Sequence, residues 1–245
     1  MEERLDKLLV EKGLAETRAE ADQFIRERGV QINGKLISKP GKKFPVDCVI
    51  EFIKDNHDWL TISAVKIESA INKWTLPISN SILLDIGAGK GGSTEVLVKN
   101  GAQKVYSVDS ESTLLDHTIR SYENVVDLSG KFARELTNNL ITEKCQGCII
   151  EINQLSVEKI FPFIHSFLEN DAFVIAVVNP AYEHTKEHYN KDGFVKNKKL
   201  IPHMMESIKE TAKINSLDFI DYFESPVIGF GGNLEYICLF NKKAH

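Results

Sequence analysis

Four glycines fall within six residues, at Gly87, Gly89, Gly91 and Gly92, and their surroundings leave few folds open. The run before them, Ile82–Asp85, is short and apolar until its final acid, the pattern of a buried strand. From Ser93 the spacing turns helical, with Val96 and Leu97 as apolar positions. Strand, glycine turn and helix in succession is how an open α/β sheet builds a nucleotide pocket at the carboxyl ends of its strands. Glycine takes positive φ at little cost and leaves no Cβ between the backbone and a ligand.

The acids around this turn bear on the ligand. Gly87, Gly89 and Gly92 fit the dinucleotide spacing G-x-G-x-x-G, a weak signal by itself. Asp85 stands just before the first glycine, where a carboxylate can reach the ammonium of an amino-acid moiety. The following strand, KVYSVD, ends in Asp109, whose carboxylate can accept both hydroxyls of a ribose. Together they suit S-adenosylmethionine, a cation with a ribose and no phosphate. The candidate cofactor residues are therefore Asp85, Gly87, Ala88, Gly89, Gly91, Gly92 and Asp109. The structural alternative is a glycine turn that merely closes a βα unit.

The rest of the chain is consistent with such a sheet. Strand patterns at 104–109, 147–152, 172–178 and 234–240 alternate with helical stretches, the signature of a mostly parallel α/β fold. The last strands are expected to form a hairpin across SPVIGFGGN. Ahead of the glycine turn, Ala64, Ile67, Ala70, Ile71 and Trp74 make the apolar stripe of a helix, which Pro77 closes. The chain's 245 residues are 42% apolar and 27% charged, ordinary for a soluble globular protein. No apolar run approaches the ~20 residues that span a bilayer, and MEERLDKLL lacks a signal-peptide layout, so a cytoplasmic location is the expectation. The formal net charge of −5 confines any nucleic-acid contact to local patches.

Metal chemistry finds little support. Cys145 and Cys148 form one C-x-x-C without the second pair that a zinc site needs, and Cys148 leads into a strand. His184, Glu187 and His188 match the string H-x-x-E-H, but they follow Pro180 in an expected loop rather than a helix. The polar stretch Lys186–Lys199 reads as a mobile loop beside the pocket.

The first fifty-odd residues form a separate unit. Leu5, Leu8 and Leu9 have helical spacing that Gly13 ends, and Thr17 with Glu20 forms a T-x-x-E capping box for a second helix reaching Gly29. Val30 and Ile32 alternate up to Asn33-Gly34, a tight-hairpin signal. Arg26, Arg28, Lys35, Lys39, Lys42 and Lys43 fall within eighteen residues. Such a patch can neutralise several phosphates, or serve only as a solvated face.

R-L-D at Arg4–Asp6, G-L at Gly13–Leu14, T-R at Thr17–Arg18 and G-V-Q-I-N-G at Gly29–Gly34 resemble the S-four RNA-binding domain, the module named after small-subunit ribosomal protein four. The resemblance implies Arg4, Arg18, Arg26, Arg28 and Lys35 as RNA contacts. The whole chain resembles the TlyA family, ribosomal RNA ribose 2′-O-methyltransferases related to FtsJ and also labelled hemolysins. Leu84–Leu97 is similar to that family's cofactor loop, Gly232–Tyr236 to its G-N-x-E-Y signature, and N-P-A-Y-E at Asn179–Glu183 stands where the family has K-P-Q-F-E.

The resemblance implies an S-four-type α+β domain at 1–57, a linker at 58–63 and a Rossmann-like, S-adenosylmethionine-dependent methyltransferase domain at 64–245. The partners implied are ribosomal RNA or ribosomal subunits, with no membrane. The family's lysine, aspartate, lysine, glutamate tetrad maps onto Lys66, Glu151, Asn179 and Glu235. Asn179 thus replaces the central lysine and Glu151 the aspartate, while T-I-S-A-V-K before and at Lys66 replaces S-R-G-A-H-K. An amide is no base near neutral pH. Two activities follow as expectations: a TlyA-type methyltransferase, or a catalytically weakened relative that binds RNA and the cofactor without turnover. A membrane-active hemolysin ranks behind both.

Overall fold

The structure is a computed structural model. It describes the chain except at Met1, Arg28, Gly34, Ser38, 52–58, Thr113, Gln154, 184–199, Ile228, 230–233 and His245, and leaves the side chains of Gln23, Arg26, Glu27, Lys35 and Leu36 undescribed. The chain divides into two compact units, with the break between Asp58 and Trp59.

In the first unit, β1 (Glu2–Arg4) precedes α1 (Leu5–Glu11), α2 (Arg18–Glu27), β2 (Val30–Ile32), β3 (Lys35–Ile37), β4 (Lys43–Pro45) and β5 (Ile50–Glu51). Leu5, Leu9, Ala21, Ile25, Val30, Ile32 and Ile37 make its core. The hairpin forms as its Asn-Gly pair requires. Ile32 pairs with Lys35 across a two-residue turn, and Asn33 takes φ 53°. Gly13 ends the first helix at φ 69°.

Two details differ from the expectation. Helical spacing over 3–12 would put Glu3 and Arg4 in the first helix, but residues 2–4 pair with β4 instead, an edge contact between short charged strands that carry no apolar period. The capping box is only half made. Thr17 Oγ1 accepts the Glu20 N–H at 3.1 Å, while the Glu20 carboxylate accepts from Glu16 N–H at 2.8 Å instead of from Thr17.

The second unit is an α/β sandwich around a seven-stranded sheet. Its elements are α3 (Ile62–Trp74), β6 (Ile82–Ile86), α4 (Gly92–Lys99), β7 (Lys104–Asp109), α5 (His117–Arg120), β8 (Val125–Ser129), β9 (Cys145–Ile150), α6 (Phe161–Ile164), β10 (Leu168–Val178), α7 (Pro180–Glu183), α8 (Leu200–Ile214), β11 (Leu217–Glu224) and β12 (Tyr236–Lys242). The strand order is β11-β12-β10-β9-β6-β7-β8. Strands β6 to β10 pair in parallel, and β12 runs antiparallel to both neighbours.

Side chains alternate between two cores. Leu83, Val105, Ile149 and Ile175 pack under α3 and α4, while Leu84, Tyr106, Cys148 and Val174 pack under α6 and α8. The C-terminal hairpin pairs β11 with β12 as expected. Cys145, Cys148 and Cys238 are buried free thiols, and no His/Cys/Asp/Glu cluster among the described residues has metal-binding form. The H-x-x-E-H string and the Lys186–Lys199 stretch lie outside the described residues. No described helix is long and apolar enough to cross a membrane.

This topology positions the site. Chain order reverses between β6 and β9, the crevice where open α/β sheets bind ligands. Because β12 runs against its neighbours, its amino end lies at the same sheet edge as the carboxyl ends of β6, β9 and β10. Residues next to those four ends, namely Gly87, Glu151, Asn179 and Glu235, therefore converge although 148 positions separate the first from the last.

Candidate active site

The glycine turn is held by the sheet beside it. Gly87 and Ala88 both donate backbone N–H bonds to Val108 O, at 2.8 and 3.1 Å. Gly87, Gly89 and Gly91 have φ of 86°, 54° and 99°, all in the region that glycine alone occupies cheaply. A Cβ on Gly87 would lie 2.1 Å from the Glu151 carbonyl oxygen, so this glycine lets the ends of β6 and β9 run side by side. Gly91 and Gly92 serve packing. A Cβ on Gly91 would meet Ile119 and Leu115 at 2.9 Å, and one on Gly92 would meet Thr61 Oγ1 at 1.8 Å.

Any side chain at Gly87 therefore strains the fold as well as the pocket. We expect Gly87→Ala to cost at least about 2 kcal/mol, combining about 1–2 for the left-handed backbone with overpacking against a carbonyl. Urea unfolding of the variant measures this; a loss below 0.5 kcal/mol (an order-of-magnitude threshold) would mean the turn tolerates a side chain.

A cavity of about 380 Å³ opens beside the turn, lined among others by Gly87, Gly89, Asp109, Lys131, Phe132 and Glu151. That volume lies within the range of small-molecule sites. Of the sequence-derived cofactor residues, Gly87, Gly89 and Asp109 are in its wall. Ala88, Gly91 and Gly92 are not among its lining residues. Asp109 is fixed by two backbone donors, Gly89 N–H to Oδ2 and Glu111 N–H to Oδ1, each at 2.9 Å, and each oxygen keeps acceptor capacity.

Asp85 is fully buried beneath the turn. Its Oδ2 accepts from Thr94 Oγ1 at 2.7 Å, and its Oδ1 has no hydrogen-bond partner among the described residues. Burial pushes its carboxyl up to about 7, against the Thr94 hydrogen bond and with help from the Glu151 and Asp109 charges. An unsatisfied buried carboxylate oxygen and a positive-φ glycine cradle both fit a ligand carrying positive charge and an amino-acid moiety. Lys131 and Phe132 were missed in the sequence because they follow β8, an edge strand whose half-buried residues show no clean alternation.

The four tetrad positions form one connected network. Lys66, on the buried face of α3, is 4% exposed. Its Nζ lies 2.7 Å from Glu151 Oε1 and 2.6 Å from Glu235 Oε2. Asn179 Nδ2 donates to Glu235 Oε1 at 3.0 Å, and Asn179 Oδ1 accepts the Ala181 N–H at 3.0 Å. Burial alone would push the Lys66 ammonium down, but Glu151 and Glu235 outweigh it and hold the group above the ordinary lysine range. The two carboxylates thus favour the charged form of Lys66. Burial raises the Glu235 carboxyl, opposed by Lys66 and reinforced by Glu151. One ammonium between two carboxylates leaves the cluster one negative charge in excess. Only Glu151, of the four, lines the cavity.

Two hydroxyls escaped the sequence reading. Ser63 Oγ donates to Glu151 Oε1 at 2.9 Å and Ser93 Oγ to Glu151 Oε2 at 3.3 Å. The segment ahead of Lys66 is pinned as well. Leu60 N–H donates to Glu95 at 2.7 Å, and the Trp59 ring lies under Lys99 Nζ at 4.6 Å.

In the first unit, Asp6 is 2% exposed and holds both candidate RNA contacts whose side chains are described. Arg4 bonds it at 3.1 and 2.7 Å, and Arg18 at 2.9 Å. The Arg4 hydrogen bond leads in pulling the Asp6 carboxyl down to about 2, against its burial and with a second bond from Arg18. The two guanidiniums share one buried carboxylate and stay partly exposed. Arg28 and the side chains of Arg26 and Lys35 lie outside the described residues.

Comparison with known proteins gives the same division. Residues 59–242 match the FtsJ-like methyltransferase model and residues 3–47 the S4 domain model. Hemolysin A of Brachyspira hyodysenteriae is 28% identical over 240 residues, covering 97% of this chain and 99% of its own. The 16S/23S rRNA (cytidine-2′-O)-methyltransferase TlyA of Mycobacterium tuberculosis is 27% identical over 234 residues, covering 95% of this chain and 87% of its own. A Streptococcus thermophilus protein solved under the name hemolysin superposes with a TM-score of 0.77 at 26% identity, over 99% of this chain and 89% of that one.

Proposed function

The chain belongs to the FtsJ-like methyltransferase family, and from that premise we propose that it is an S-adenosylmethionine-dependent ribosomal RNA methyltransferase acting on a ribose 2′-hydroxyl. The observation that carries this reading is the cavity where the glycine turn, Asp109 and Glu151 meet. Support for the substrate comes from the S4 domain match at the amino end and from the TlyA relative, named for cytidine 2′-O-methylation of rRNA.

In this reading Asp109 accepts the ribose hydroxyls of the cofactor, the backbone at Gly87 and Gly89 lies against its amino-acid end, and Asp85 braces the turn from beneath through Thr94. S-adenosylmethionine, when bound, supplies an electrophilic methyl carbon on a sulfonium that keeps the bonding electron pair as the group leaves. Glu151 accepts the hydroxyl proton and returns it to water. Lys66, charged throughout, fixes the carboxylate and steadies charge at the reacting oxygen. Asn179 orients Glu235 and so braces the far side of Lys66. The N-terminal unit holds the RNA backbone through Arg4, Arg18 and the basic residues following them, in the cytoplasm.

A second reading rests on Asn179, whose amide is committed to Glu235 and Ala181. It is a weakened relative that binds RNA and cofactor without turnover. Both readings require the same pocket. Calorimetry with S-adenosylhomocysteine should show one site per chain, weakened at least tenfold (a factor of ten being about 1.4 kcal/mol) by Asp109→Ala. No heat with the parent chain would contradict both.

A further inference from the structure

Glu151 is held from three sides, and two of the three holders have no assigned part in methyl transfer. Its Oε1 accepts Ser63 Oγ at 2.9 Å and Lys66 Nζ at 2.7 Å. Among the described residues its Oε2 accepts Ser93 Oγ alone, at 3.3 Å. A carboxylate oxygen takes about two hydrogen bonds, so Oε1 is filled and Oε2 keeps one position open. The Glu151 side chain is 11% exposed and lines the cavity.

The two serines come from separate elements. Ser63 lies in the first turn of α3 and Ser93 in the first turn of α4, so two positive helix ends accompany the two hydroxyls. Ser93 is 2% exposed and cannot exchange its partner for solvent without moving the helix start. Between them the serines restrict rotation of the carboxyl plane, while Lys66 fixes its depth.

We propose that Ser63 and Ser93 are positioning residues that clamp the Glu151 carboxylate with its less-occupied oxygen toward the nucleophile. This rests on the methyltransferase reading. As the oxygen–carbon bond forms and the carbon–sulfur bond breaks, the electron pair stays on sulfur and the hydroxyl proton passes to Oε2, then to water. A carboxylate free to rotate presents that lone pair for a smaller fraction of encounters, and misplacement of about 1 Å is enough to cost up to about 100-fold in rate.

The test compares the full-length parent, Ser63→Ala, Ser93→Ala, the double variant and Ser63→Thr. Four quantities are measured: kcat and KM for labelled methyl transfer to ribosomal RNA, affinity for S-adenosylhomocysteine, melting temperature, and the Glu151 carboxyl carbon resonance of the ligand-free chain. The clamp predicts kcat lower by about 10-fold in each alanine variant and about 100-fold in the double, with KM, product affinity and melting temperature held. It also predicts a displaced Glu151 resonance, with Ser63→Thr restoring both rate and resonance. An unchanged kcat in the double variant overturns the clamp and leaves the methyltransferase reading intact. Parallel loss of melting temperature and product affinity in both single variants overturns it in favour of a purely structural role. No transfer by the parent overturns both.

Discussion

Lys66→Met lowers the stability of the larger unit by about 3–5 kcal/mol at pH 8, the usual cost of leaving a buried charge without its partner. Lys66 Nζ lies within 2.7 Å of Glu151 and 2.6 Å of Glu235, and Glu235 is 2% exposed. With the ammonium gone, two carboxylates face each other in a medium that solvates neither. The sign of the pH dependence follows from their titration. In the parent, Lys66 is held above the ordinary lysine range and stays charged from acid to mild alkali, so its contribution is steady there. In the variant, Glu235, already raised by burial, takes up a proton as pH falls and relieves the repulsion. The loss should therefore shrink between pH 8 and pH 5. The chain's two tryptophans, Trp59 and Trp74, both belong to the larger unit, so urea unfolding followed by tryptophan fluorescence reports it directly. A loss below 1 kcal/mol at pH 8, or one that does not vary with pH, contradicts a functional buried cation (the threshold being well under the range for broken buried pairs).

Glu151→Gln should separate chemistry from stability. The amide cannot take a proton near neutral pH, and loss of a general base costs about 10²–10⁴-fold in rate. Its carbonyl can still accept from Ser63 and Lys66, and the substitution removes the excess negative charge around Lys66. Stability should accordingly change by less than about 1 kcal/mol, and affinity for S-adenosylhomocysteine should hold. Single-turnover transfer alongside a thermal melt checks all of this. A rate within threefold of the parent (about 0.65 kcal/mol of barrier) would place the proton acceptor elsewhere.

The parts legible in the sequence are those where one residue type is physically required. Glycine was needed where Gly87 runs against the Glu151 carbonyl, and Asn33-Gly34 where two strands turn in two residues. An apolar period marked α3 and β6. The parts that were not legible depend on partners distant in sequence. Lys66 sits one place from the apolar stripe of α3 and by periodicity alone reads as an exposed lysine, so only the family resemblance singled it out. Its burial follows from Glu151 and Glu235, 85 and 169 positions on, which only the antiparallel insertion of β12 brings together. Ser63 and Ser93 carry no periodic signature, since a hydroxyl suits a helix start, a turn or a surface equally. Edge strands β1 and β8 escaped because one side of each lacks a neighbour and the burial contrast is weak. With an amide at Asn179, the geometry surrounds Lys66 with carboxylates and leaves Glu151 as the proton acceptor beside the cavity.

The most direct measurement is where the methyl group goes. The chain is incubated with methyl-labelled S-adenosylmethionine and purified ribosomal subunits, and the RNA is digested to nucleosides. The account predicts label in a 2′-O-methylated nucleoside with the parent chain, at a rate that Asn179→Lys changes by less than about tenfold (1.4 kcal/mol) because Glu151 already serves as acceptor. No label with the parent, and label appearing only when Asn179→Lys restores an ammonium beside Glu235, would contradict it.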